Sequence, residues 1–76
     1  MSISYRVRVH REWIGGGGLD PETYFGDVDE TVTLIDRLLD HDSRYPSLTP
    51  IQMVQVDAFE NGRLTGDRIA QIFPRA

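Results

Sequence analysis

The sequence predicts an α+β fold: a single antiparallel sheet in β-β-α-β-β order, with one amphipathic helix over about residues 28–41 packed on one face. Three observations carry this. Residues 3–13 alternate apolar and polar, with Arg11 the one exception, the period of a half-buried strand. Residues 26–41 carry a helix start signal and a helical period instead. Asn61-Gly62 lies between two further strand-like runs, and this pair suits a type I′ hairpin turn, whose two central residues both need φ > 0.

In the first strand Ile3, Tyr5, Val7 and Val9 share one face, while Ser4, Arg6, Arg8, His10 and Glu12 share the other. The run Gly15 to Gly18 and the pair Asp20-Pro21 follow, a composition that reads as a flexible hairpin tip able to order on a partner. Residues 22–26, Glu-Thr-Tyr-Phe-Gly, are short and β-prone, and are expected to pair antiparallel with the first strand.

The helix opens with Asp27 and Glu30 in the D-x-x-E spacing of a capping box. At about 100° per residue, Val28, Val32, Ile35 and Leu39 form an apolar stripe widened by Leu34 and Leu38, the expected core surface. Asp29, Asp36 and Asp40 line the opposite face around Thr33. The helix is expected to stop near His41 or Asp42, since Pro46 and Pro50 follow closely and disfavour helical geometry before them.

A loop then leads to Ile51 and an alternating run through Phe59. A two-residue turn at Asn61-Gly62 sets Glu60 opposite Arg63 and Phe59 opposite Leu64. The last strand runs from Arg63 toward Phe73, but simple counting puts Asp67 on the face of Val56. A bulge at Gly66 relieves that conflict and leaves either Ile69, Gln71 and Phe73 or Ala70 and Ile72 facing inward. Pro74 ends the strand, with Arg75 and Ala76 as a frayed tail.

At 76 residues the chain is read as one small domain, residues 1–76, with a thin core. It has no cysteine, hence no disulfide framework and no thiolate metal site, and a homodimer through an edge strand is one way to add stability. Twelve acidic residues against eight basic ones give a net charge of −4, which argues against general binding to nucleic acid or anionic membrane and favours a basic partner. No stretch approaches the roughly 18 apolar residues of a membrane span, so a soluble, cytoplasmic protein is expected.

Catalytic and cofactor signals are lacking. The glycine run follows a strand but is not followed by a helix bearing Lys-Ser/Thr, so it reads as a loop rather than a phosphate cradle. His10 and His41 lie on different elements without the converging ligands of a metal site, and no serine has a nucleophile's setting. We therefore expect no enzyme, no cofactor and no metal.

The functional expectation rests on the acidic helix face. Asp36 and Asp40 are a like-charge i, i+4 pair, and Asp40 and Asp42 stand at the helix end where the dipole is already negative, a poor choice for stability. Asp29, Asp36, Asp40 and Asp42, with Trp13 and Ile14 beside the glycine tip as apolar anchors, are the expected docking residues for a larger, basic, nucleic-acid-handling protein. The basic stripe Arg6, Arg8, His10 and Arg11 is the alternative, a nucleic-acid face. A further alternative is a ligand-binding or enzyme subunit completed by oligomerisation.

The opening order of strand, glycine-containing tip, second strand and a Gly-Asp-x-x-Glu-led helix resembles the HicB-type antitoxins over about half the chain. The Pro-Asp-Leu-Pro-Gly-type segment expected before the helix is absent here, so no residue roles are carried over. Size and acidity also resemble the small phage-encoded inhibitors of bacterial defence systems. Both likenesses imply a non-enzymatic antagonist, of the antitoxin, immunity-protein or anti-CRISPR kind.

Overall fold

The computed structural model describes residues 3–45 and 47–74, with the side chains of residues 66–68 outside the description. The helix-stopping role expected of Pro46, the tail Arg75-Ala76 and the direction of the Asp67 side chain lie outside the described residues. The elements are β1 (Ile3–Arg11), β2 (Glu22–Gly26), α1 (Val28–Arg44), β3 (Ile51–Glu60) and β4 (Arg63–Ile72), the predicted β-β-α-β-β order. They form one four-stranded sheet in the order β2-β1-β3-β4, with every neighbouring pair antiparallel. Two hairpins supply β1-β2 and β3-β4, and the helix carries the chain across so that β3 pairs with the free edge of β1.

The local signals explain the elements. Asp27 accepts from the Glu30 backbone N–H at 2.8 Å while Glu30 Oε1 accepts from the Asp27 N–H at 3.2 Å, so both partners of the capping box are made. The helix runs to Arg44, two to three residues beyond the end predicted near His41 or Asp42. Asn61 and Gly62 have φ of 52° and 80°, and the turn sets Glu60 opposite Arg63 and Phe59 opposite Leu64 as expected. Further along β4 the register slips twice. Asp57 pairs with Arg68 and Val56 with Ala70, so extra residues bulge from β4 around Gly66 and again at Ile69. This decides the open choice of faces: Ala70 and Ile72 pack against the core, while Ile69 and Phe73 are exposed.

Val7 and Val9 of β1 and Ile51, Val54 and Val56 of β3 form the buried core. Leu34, Ile35, Leu38 and Leu39 of α1 pack on it from one side, and the helix lies over β1, β2 and β3. Its seat differs from the predicted stripe. Thr31 and Asp42 are the buried helix residues, whereas Val28 and Val32 are 56% and 53% exposed. The helix is therefore turned away from Val28 and Val32, so that the line Thr31, Leu34, Leu38, Asp42 faces the sheet with Ile35 and Leu39 at its border.

Two constraints at its ends explain the turn. Only Asp27 separates β2 from α1, and a Cβ on Gly26 would meet the Glu30 Cβ at 3.0 Å. The first turn is thus drawn down toward β2 beside a residue with no side chain. At the other end the Asp42 carboxylate accepts from the Ile51 backbone N–H at 3.1 Å in a buried setting. Apolar periodicity fixes which residues are available, but these anchors fix which way the rod is rolled.

The roll makes a direct prediction. Leu38→Ala should lower the unfolding free energy by about 1–3 kcal/mol, a partly buried large-to-small change, whereas Val32→Ala should cost no more than about 0.5 kcal/mol. Urea denaturation of the two variants measures both, and a Val32→Ala cost as large as that of Leu38→Ala would mean that Val32 is buried, as the periodicity predicts.

Candidate functional site

Three surfaces carry the residues singled out in the sequence. On the helix, Asp29, Asp36 and Asp40 are exposed, with the Asp40 carboxylate taking the Arg44 Nε–H at 2.9 Å one turn later. Asp42 does not belong to this row. It is 8% exposed and turned inward, because residues 31 and 42 stand close to three full turns apart and so share the sheet-facing line. Its carboxylate fixes the start of β3 and is unavailable to a partner.

At the tip, the glycine run is a built turn rather than a plain linker. Glu12 bridges to Gly18, the Gly16 N–H reaches the Trp13 carbonyl at 2.8 Å, and the Ile14 N–H reaches the Leu48 carbonyl at 2.9 Å. Gly16 and Gly17 hold φ of 99° and 98°, and the Trp13 indole occupies the space where a Cβ on Gly15 would stand. Trp13, Ile14, Leu19 and Leu48 remain exposed around it.

The third surface is the face of the sheet opposite the helix, which no second layer among the described residues covers. Strand pairing gathers on it Arg6 and Arg8 of β1, Phe25 of β2, Gln55, Asp57 and Phe59 of β3 and Leu64 of β4. The stripe of four basic residues read from the sequence does not survive. A register shift between His10 and Arg11 sends Arg11 to a cleft beside α1, where it donates to Glu22 Oε1 at 2.8 Å and to the Thr49 carbonyl at 3.0 Å. Arg6 and Arg8 both donate to Asp57 Oδ2, at 3.0 and 3.3 Å. The Gln55 amide donates to the same carboxylate, and Asp57 is only 5% exposed although it lies on the uncovered face. The guanidinium groups are its lid.

The neighbouring strands bring aromatic residues to that face. Phe25 stands across from Arg6, its ring edge-on to Phe59 at 5.6 Å, and the Arg6 guanidinium lies 5.0 Å from the centre of the Phe59 ring. Alternation along β3 places Asp57 and Phe59 on one face, but only the strand order brings them to Arg6. The Nε atoms of Arg6 and Arg8 and the Nε2 of His10 are buried with no partner among the described residues.

Burial alone pushes the Asp57 carboxyl up; the hydrogen bonds from Arg6 and Gln55 and the charges of Arg8 and Arg6 outweigh it and hold the group below its ordinary value. Glu22 is likewise held low, first by the Tyr24 hydroxyl and then by Arg11 against its partial burial. The same hydrogen bond raises Tyr24. Among the described residues no three His, Asp or Glu side chains gather as a metal site would need. No described helix is long and apolar enough to cross a membrane.

A depressed carboxyl contributes stability above its unfolded value, about pH 3.9, and that contribution is lost as pH falls through the lower folded value. Asp57→Asn should therefore cost about 1–3 kcal/mol at pH 7, since two partly buried guanidiniums lose their counter-charge. The gap between variant and parent should narrow in acid. Denaturation midpoints followed from neutral pH to below pH 3 test both parts.

No family model, no curated protein and no solved structure matches the chain.

Proposed function

We propose that the chain is a small non-enzymatic protein-binding module, an antagonist that docks through the solvent face of α1 on a larger, basic, nucleic-acid-handling protein and blocks its surface. The observation that carries this reading is the roll of the helix. Val28 and Val32 are left uncovered next to the exposed row Asp29, Asp36 and Asp40. An apolar strip bordered by one sign of charge combines the two things a docking face uses: desolvated contact for affinity and a charged border for fast, selective encounter. Trp13 and Ile14 supply a second exposed apolar point at the glycine tip.

The row also opposes helix stability. Asp36 and Asp40 repel at i, i+4, and Asp40 adds negative charge to the carboxyl end of the dipole, relieved in part by Arg44. Such an arrangement is expected where a surface serves binding rather than folding.

The test is affinity capture from the native host with the wild-type chain, followed by binding measurements on the purified partner. Replacing Asp29, Asp36 and Asp40 together by Asn should slow association by about tenfold or more at low salt, with the difference shrinking as salt rises. Val32→Asp should weaken binding by about tenfold or more while leaving the fold intact. Equal binding by the parent and both variants would remove this reading.

A further inference from the structure

We propose that the open face of the sheet binds single-stranded nucleic acid, with a base stacked on Phe25 and the sugar-phosphate backbone running over Arg6 and Arg8. This goes beyond the docking reading, because it uses the face opposite the helix and none of the helix residues.

Phe25 is 63% exposed, and its ring is braced edge-on by Phe59. A fixed, uncovered aromatic ring on a flat sheet offers a stacking platform to an unpaired base, whose π-face is hidden in a duplex. The cations beside it are ordered in advance. Asp57 takes one N–H from each guanidinium, and Arg6 is further held against Phe59. Each guanidinium carries five N–H donors, so the tether fixes its orientation without using up its capacity for a phosphate.

The charge of this face points the same way. At its centre two guanidiniums, Arg6 and Arg8, share the one carboxylate of Asp57 between them, in a chain whose net charge is −4. Asp29, Asp36 and Asp40, which are exposed, lie on the helix, which is packed against the opposite face of the sheet. A positive face with an exposed ring suits an anionic, base-bearing strand. A second copy of the chain fits it poorly, because a two-fold contact through this face would set its excess positive charge against itself.

The test uses the full chain and fluorescent oligothymidylate and oligouridylate of about 15 nucleotides, near the upper site size of a small single-strand-binding fold. Anisotropy should show binding to the single strands, stronger than to a duplex of equal length, and weakening as salt is raised from about 50 to 200 mM. Phe25→Ala, at an exposed position, should keep the parental melting temperature and lose about fivefold or more in affinity. Arg6→Gln should weaken binding and flatten its salt dependence by about one phosphate contact. The Asn replacements of Asp29, Asp36 and Asp40 should cause no loss, which separates this proposal from the helix reading.

Absence of single-strand binding at low salt, unchanged affinity of Phe25→Ala, or equal affinity for duplex would each overturn the proposal. So would sedimentation showing a dimer that Phe25→Asp dissolves, since that outcome gives the face to a second copy.

Discussion

The seat of the helix is the constraint from which the surfaces follow. One connecting residue ties α1 to β2, Gly26 lets the first turn sit close, and the Asp42 carboxylate clasps the amide at the start of β3. A rod held at both ends cannot roll to bury its most apolar line. It covers Val7, Val9, Val54 and Ile51 with Leu34, Leu38 and their neighbours, and leaves Val28 and Val32 in solvent. The inward position of a charged residue follows from the same clasp: Asp42 is tolerated in a nearly buried place because it satisfies a backbone donor there.

A single helix also fixes what happens on the other side of the sheet. With one layer above and none below, the outer side chains must solve their own packing. They do so with a charge cluster that lies flat, two guanidiniums folded over one carboxylate and one amide. The long arginine stems cover what a second helix would cover elsewhere. This explains how Asp57 and Gln55 come to be buried on an uncovered face, and why the basic stripe is less available as free charge than its spacing along β1 suggests.

The two broad faces thus differ in kind. The helix side presents carboxylates next to exposed valines, and the sheet side presents fixed arginines next to exposed phenylalanine. The two proposed occupants, a basic protein and a single strand, would sit on opposite sides of the sheet, and neither face obstructs the other. The sheet edges are less inviting: β2 has five residues, and β4 is interrupted by two register shifts, both features that blunt strand addition.

What depends on near neighbours in the chain was legible in the residues alone. Alternation placed the strands, Asp27 and Glu30 started the helix, and Asn61-Gly62 set the hairpin register down to the Glu60 and Arg63 pair, because caps, turns and period-two patterns act over a few residues. Tertiary structure decided the strand order, the roll of α1 and the company kept by each charge. Asp57 is separated from Arg6 by 51 positions, and Phe25 meets Phe59 across β1. No local pattern encodes which distant strands become neighbours. Hydrophobic periodicity names a face of a helix but not its final angle, which end constraints can shift when the core beneath it is thin.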